Sequence, residues 1–380
     1  MESHLLQTWQ AVKHRDAYIK LGQPLVTEHA RGPFIWDEKG KEYIDFLMGW
    51  GTNLFGYQDE RIEAVIRDRL SQKDVFNNHS RIEFELAEKV SDWYPEPMKI
   101  AYFLNGSDAT TMAVRIARAS TGRTKVISCG YHGWHDWAQP VSSGVLLQEK
   151  ENSFPFKYKN FDDLVESLEK EKSEVAALVL ETPFPDHLGS DIKELCKSAR
   201  KHNILVVFDE VKAGGRLGYS SGYDVSQIIP DIAVYGKALG GGLPLSMLLV
   251  KEDRVAAIPD DIHCSATFWG HSLALHVASN IIDRINSSEE ILNLHERSKR
   301  FISSNNDLFE KNDVPVRFTG NPVMPSLKVG DKITDRFYSS CFEEGLYIRP
   351  KHCLFLSTTH SEAVLDETTN RLESIVSKFV

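Results

Sequence analysis

Lys237 closes a short apolar run, Asp231-Ile232-Ala233-Val234-Tyr235-Gly236, and a triple glycine, Gly240-Gly241-Gly242, follows it before Pro244. An amine at a strand end is held on a rigid scaffold, and the glycines let another group approach the main chain. Upstream, Ile204 to Phe208 reads as a buried strand and runs into Asp209-Glu210-Val211. Asp209 and Lys237 stand 28 residues apart. That is about one strand–connection–strand unit, which would bring both to the carboxyl edge of one sheet. Either residue alone would be an ordinary surface lysine or loop acid. Together they suit pyridoxal phosphate: a lysine forms a Schiff base with its aldehyde, and a buried carboxylate keeps its ring nitrogen protonated.

Two further turns carry chemistry. Ile100 to Leu104 reads as a buried strand that runs through Asn105-Gly106-Ser107-Asp108-Ala109 into a helix reaching about Ser120. A strand-to-helix turn offers free N–H groups and the helix dipole to an anion such as a phosphate monoester. Simple N-capping by Ser107 or Asp108 is the plainer alternative. The strand Val126 to Ser128 leads into Gly130-Tyr131-His132-Gly133-Trp134-His135-Asp136-Trp137, an aromatic loop that could stack a flat ring. His132 and His135 could bind a metal, but no third ligand stands at a suitable spacing. A polar-aromatic loop packed on the core is again the plainer reading.

The elements around these turns alternate between strands and helices. Phe34 to Phe46 reads as a hairpin turning at Glu38-Lys39-Gly40, and Met48 to Gly56 as a glycine-rich loop. Helices are expected over 60–71, 80–93, 161–171 and 189–202, and, after a loop from Cys264 to His271, up to about Ile285. Strands are expected at Val175 to Leu180, ending in Glu181-Thr182-Pro183, and at Leu245 to Val250. Residues 138–160 show no clear element. Charged helices over 288–312, short strands around 323–329 and 345–356, and a last helix from about 363 suggest a smaller α+β domain. Residues 1–30 look like a helical arm.

With 380 residues the chain is long enough for a large core, in two domains. A formal net charge of −10 argues against nucleic-acid or anionic-membrane partners. Apolar runs such as Val175 to Leu180 are too short to span a bilayer, and the polar, mixed opening does not read as a secretory signal. Five scattered cysteines without a CxxC pair suit free thiols in a reducing cytoplasm. P-loop and G-x-G-x-x-G signatures are missing, which removes support for nucleotide hydrolysis and dinucleotide binding.

From about residue 24 onward the chain resembles class III aminotransferases of pyridoxal-phosphate fold type I, particularly the glutamate-1-semialdehyde aminomutase-like branch. The motifs are Trp36-Asp37…Gly40…Tyr43-Ile44-Asp45, Asn105 to Ala109, Arg115-x-Ala117-Arg118-x-x-Thr121-Gly122-Arg123, Tyr131-His132-Gly133, Asp209-Glu210-Val211 and Tyr235 to Pro244. The resemblance implies an α/β fold: a large domain with a mostly parallel seven-stranded sheet over 46–285, and a small α+β domain from 1–45 and 286–380. It implies that Lys237 forms the internal aldimine and shuttles the proton between substrate Cα and cofactor C4′. Asp209 would pair with the pyridine nitrogen. Val211 and Tyr131 would cover the two ring faces, with His132 in the same cofactor set. Gly106, Ser107 and Asp108 would hold the phosphate, and Thr267 would reach the phosphate of a partner subunit in a homodimer with shared sites. Trp50, Glu181, His271 and His352 would face the substrate.

The chain departs from the pattern at the substrate end. Glu181-Thr182-Pro183 replaces the usual Glu-Pro-Val, and His352 stands where aminomutases tend to carry a glutamate. The stretch between Asp136 and Pro155 is shorter than in relatives that carry a mobile loop there. Arg15 sits where aminomutases place a carboxylate-binding arginine, although a solvated arginine is the plainer reading. These features favour an aminotransferase moving an amino group, with glutamate as donor, to the aldehyde or ketone of a small metabolite or sugar by ping-pong half-reactions. The alternatives are an intramolecular aminomutase and a catalytically silent binding protein of the same fold.

Overall fold

The computed structural model describes residues 19–24, 26–71, 78–218, 221–287 and 289–380. Most of the expected helical arm, Arg15 included, lies outside the described residues. The described residues pack as two compact units. One comprises those up to Glu63 together with Ser287–Val380, and the other those of Ala64–Asn286.

The first unit opens with three antiparallel strands, β1 (Thr27–Arg31), β2 (Phe34–Asp37) and β3 (Glu42–Asp45). The β2–β3 turn is fixed by Asp37, whose Oδ1 accepts from the amides of Lys39 and Lys41, both at 2.9 Å. Beyond β3 the chain makes an unusual left-handed turn. Met48, Gly49, Trp50 and Gly51 take φ of 48°, 59°, 61° and 84°. This conformation costs an L-residue about 1–2 kcal/mol, so something must hold it. Buried Asp45 does so: Oδ1 accepts from Leu47 N at 2.7 Å, and Oδ2 from Met48 N at 3.0 Å and Tyr57 OH at 2.7 Å. Burial pushes the Asp45 carboxyl up to about 6, while these hydrogen bonds pull it back.

The second unit is built on a seven-stranded sheet. Its strands are β4 (Met98–Phe103), β5 (Lys125–Cys129), β6 (Ser153–Phe156), β7 (Val175–Glu181), β8 (Leu205–Asp209), β9 (Ile232–Gly236) and β10 (Ser246–Lys251). They lie in the order β4-β10-β9-β8-β7-β5-β6, and only β10 runs against its neighbours. The central strands read as continuous apolar runs because both faces are covered. Ala177 and Val179 of β7 pack with Ala109, Ala113 and Ile116 of helix α1 (Gly106–Thr121). The alternate residues Leu178 and Leu180 pack with Leu164 of α2 (Phe161–Glu171) and Ile192 of α3 (Gly189–Lys201). A further helix, α4 (Ser272–Ser287), buries Leu275, Ala278 and Ile281.

The expectation of no element over 138–160 is corrected here. A short helix, Leu147–Asn152, leads into β6, which pairs in parallel with β5 at the sheet edge. Four residues containing Pro155 give little periodic signal, and proline is tolerated only at such an edge.

The chain then completes the first unit. Helix α5 (Glu290–Lys311) precedes an antiparallel pair, β11 (Val316–Thr319) and β12 (Ser326–Val329). Helix α6 (Thr334–Glu343), β13 (Leu346–Tyr347) and α7 (Glu362–Val376) follow. The strand expected over 345–356 shrinks to β13, which pairs in parallel with β3. Pro350 and the left-handed Lys351, at φ 62°, leave that stretch no extended path. Strand β11 escaped the sequence reading.

Gly51 tests the left-handed turn. A Cβ there would lie 2.6 Å from the Phe355 ring, whereas at Gly40, also left-handed, it would meet nothing within 4 Å. Gly51→Ala is expected to cost about 2–4 kcal/mol of stability and Gly40→Ala only about 1 kcal/mol, measured as shifts in urea unfolding free energy.

Candidate active site

The parallel register decides what stands at the carboxyl edge of the large sheet. Glu181 of β7 pairs with Asp209 of β8, and Asp209 pairs with Val234 of β9. Lys237 directly follows β9, and Gly130-Tyr131-His132 directly follows β5. Strand β4 delivers the Asn105-Gly106-Ser107 turn to the same edge, because two antiparallel pairings through β10 leave it parallel to β9.

Asp209 is buried, and its charge is answered locally. Oδ2 lies 2.8 Å from His132 Nδ1, and Oδ1 accepts from Val211 N at 3.1 Å. His132 is itself buried and stacks on Trp137 at 5.9 Å between ring centres. Its loop is tied to α1: Thr110 Oγ1 donates to His132 O at 2.8 Å, and Trp137 Nε1 donates to Thr111 Oγ1 at 2.9 Å. His132 is therefore a partner of Asp209. His135 contacts Thr111 Oγ1 at 2.8 Å through Nδ1.

Lys237 is half-buried and begins a 3-10 turn, Lys237–Gly240. Its φ of 46° is left-handed, a strained setting for a lysine. The triple glycine permits the return: Gly241 and Gly242 take φ of 55° and 89°. Beneath the turn Tyr235 OH lies 2.8 Å from Tyr94 OH, and both rings are buried.

Val211 links these corners. A Cβ on Gly106 would approach it to 3.2 Å, and one on Gly236 to 3.6 Å. The phosphate-type turn, the lysine strand and the residue after Asp209 thus crowd one spot. The α1 cap is Asn105, whose Oδ1 accepts from Asp108 N at 3.1 Å, so neither Ser107 nor Asp108 is the cap. Gly106 and Ser107 are left in the first turn, where amides have no intrahelical acceptor. Gly133 closes against Ser107, where a Cβ would meet Oγ at 2.3 Å. A flat ring bearing a basic nitrogen and a phosphate fits this donor set: a buried carboxylate, a lysine, and helix-terminal amides.

The remaining expected residues are more scattered. Tyr131 is exposed, and its amide lies 3.4 Å from Glu181 Oε2. Glu181 also pairs with Lys212 at 2.9 Å. Thr267 is exposed in the loop before α4, and the carbonyl of half-buried His271 accepts from Ala274 and Leu275 at the start of that helix. Trp50 and His352 belong to the first unit, where their rings meet edge to face at 5.1 Å.

The comparisons with known proteins agree with this geometry. Residues 18–379 match the family described as Aminotransferase class-III. The chain belongs to the class III aminotransferases. Like them it is a pyridoxal-phosphate-dependent enzyme of fold type I, with the expected mostly parallel sheet and a smaller domain. This class III chain is similar to the 3-aminobutyryl-CoA aminotransferase of Cloacimonas acidaminovorans, 27% identical over 365 residues, covering 92% of this chain and 88% of the relative. It is also similar to the glutamate-1-semialdehyde 2,1-aminomutase of Persephonella marina, 26% identical, covering 92% and 91%. Among solved structures, the PLP internal aldimine form of the Sphingopyxis sp. MTA144 FumI protein matches with a TM-score of 0.86 and 25% identity, covering 93% of this chain and 89% of that one.

Sequence reasoning quoted Glu210 only as part of a motif and gave it no role. In this class III site its carboxylate is fully buried and joins three segments. Oε2 accepts from Thr182 Oγ1 and Ser221 Oγ, both at 2.6 Å, and Oε1 accepts from Gly222 N at 2.7 Å. Thr182, part of the departure from Glu-Pro-Val, also donates its amide to Asp209 O at 3.0 Å. Burial pushes Glu210 up to about 7 against those hydrogen bonds. A carboxyl raised on folding contributes stability that is fully present below its unfolded value, about 4.3, and is lost as pH rises through about 7. Urea titrations from pH 4.5 to 8 are expected to show the wild type losing a few kcal/mol more than Glu210→Gln, at most about 4.

Proposed function

We propose that this enzyme moves an amino group from glutamate to the aldehyde or ketone of a small metabolite or sugar, in two half-reactions at one site. The observation that carries the reading is the convergence of Lys237 and the buried Asp209–His132 pair, at 2.8 Å, on the carboxyl edge of the sheet. When bound, pyridoxal phosphate supplies an electron sink conjugated to the carbon that bears the amino group.

The chain's residues do the rest. Lys237 Nζ would hold the cofactor at rest, and as a free amine it would be the base that takes the proton from substrate Cα and returns it. Its strained backbone points the amine by geometry rather than by search. Asp209 holds the proton on the ring nitrogen, and His132 holds Asp209 in one orientation while its burial excludes water. The amides of Gly106 and Ser107, with Asp108 beside them, take the phosphate. Val211 and Tyr131 cover the ring faces. Glu181 and His271 meet the substrate, and Thr267 serves the phosphate of a partner subunit.

The enzyme would act as a homodimer in the cytoplasm, in biosynthesis, on small molecules and not on nucleic acid or membranes. Its net charge of −10 supports the last point. The similarity to the 3-aminobutyryl-CoA aminotransferase supports the transfer reading, and that to the glutamate-1-semialdehyde 2,1-aminomutase keeps internal rearrangement as the second reading.

Visible absorption of the purified protein with pyridoxal phosphate, before and after L-glutamate, tests this. The visible cofactor band should disappear with release of equimolar 2-oxoglutarate, and Asp209→Asn should slow that step about 100-fold or more. A band untouched by glutamate would remove glutamate as donor. Failure to form the band at all would overturn the assignment of Lys237.

A further inference from the structure

We propose that Thr182, anchored by Glu210, is a positioning residue that sets the aim of the Asp209 carboxylate at the cofactor's ring nitrogen. This rests on the reading above that Asp209 answers that nitrogen. The peptide group between Asp209 and Glu210 is gripped from both neighbouring strands. Its carbonyl accepts from Thr182 N, just past β7, at 3.0 Å, and its N–H donates to Val234 O of β9 at 2.8 Å. With that plane fixed, the contacts of the carboxylate with His132 and the Val211 amide complete a single pose.

A functional group must be held to within about 0.5 Å by residues whose own side chains are locked. Thr182 meets that condition. It is wholly buried, and its hydroxyl has one proton and two acceptors in reach, Glu210 Oε2 at 2.6 Å and Asp209 O at 3.2 Å. The shorter bond, to a carboxylate, is the stronger one. Glu210 in turn is fixed by Ser221 Oγ and Gly222 N. Gly222 also closes on the Thr182 methyl, where a Cβ would approach Cγ2 to 2.9 Å. Amide, hydroxyl and methyl of Thr182 are thus all engaged. Proline, the usual residue here in the resembling enzymes, has neither the N–H nor the hydroxyl. The replacement of Glu-Pro-Val by Glu181-Thr182-Pro183 therefore gives this chain a hold on Asp209 that the usual residue could not supply.

A double-mutant cycle on the holoenzyme tests this, using Thr182→Val, Thr182→Ser, Asp209→Asn and the double variant Thr182→Val/Asp209→Asn. Two readouts need no turnover: the pH midpoint of the visible cofactor band, and the rate of cofactor loss on dilution. Thr182→Val should speed cofactor loss about 3–30-fold and move the midpoint in the same direction as Asp209→Asn. Thr182→Ser, which keeps the hydroxyl, should stay within about 2-fold of the wild type. In the Asp209→Asn background Thr182→Val should add less than about 2-fold, because a residue that acts through Asp209 has nothing left to position. Where Thr182→Val does not fold, Glu210→Gln carries the same cycle, with a smaller shift in the same direction. An equal effect of Thr182→Val in both backgrounds, or no effect in either, overturns the proposal while leaving the role of Asp209 intact. If Asp209→Asn itself moves neither readout, the pairing of Asp209 with the ring falls, and the proposal falls with it.

Discussion

A carboxylate buried at the end of a parallel strand cannot be left alone. Stripped of water and left without hydrogen-bond partners, it would cost several kcal/mol. The solution is spread over the unit. His132 arrives from the loop after β5, the Val211 amide from the next turn, and Thr182 pins the backbone of Asp209 from the end of β7. Each arrives only because the parallel register brings successive strand ends to one edge. A one-residue slip in β8 would turn the carboxyl to the opposite face. The apolar packing of alternate residues against α1 on one side and α2 and α3 on the other resists that slip.

A second theme is where the backbone accepts strain. Lys237 and Trp50 both hold left-handed φ. In each case neighbours set the conformation: the glycines after Lys237 let the chain turn back, and Asp45 ties down the amides before Trp50. Rigid hydrogen-bonded surroundings thus hold a backbone conformation that would otherwise be penalised.

Much of this was legible in the sequence for simple physical reasons. Strand ends marked by a sudden charge, as at Asp209 and Lys237, announce themselves, and so does the apolar spacing of α1. What stayed hidden depends on partners far apart in the chain. His132 was assigned to the cofactor set without its partner, because Asp209 lies 77 residues on. Glu210 looked like motif filler until Thr182, Ser221 and Gly222 surrounded it. The cap of α1 was misplaced by two or three residues because Asn105, Ser107 and Asp108 are all good capping types. Strand β6 was missed because it is short and contains proline.

That proline has a consequence of its own. The carbonyl of Phe156 accepts from Gly130 N at 3.3 Å, so the polar groups of Phe156 face inward, toward β5. Backbone alternation then turns the nitrogen of Pro155 outward, where it has no hydrogen to offer. The rim of a seven-stranded sheet is a template on which a stray chain can add itself and begin an aggregate. At β6 that template is missing a rung, and the residue that removes it is the one that hid the strand.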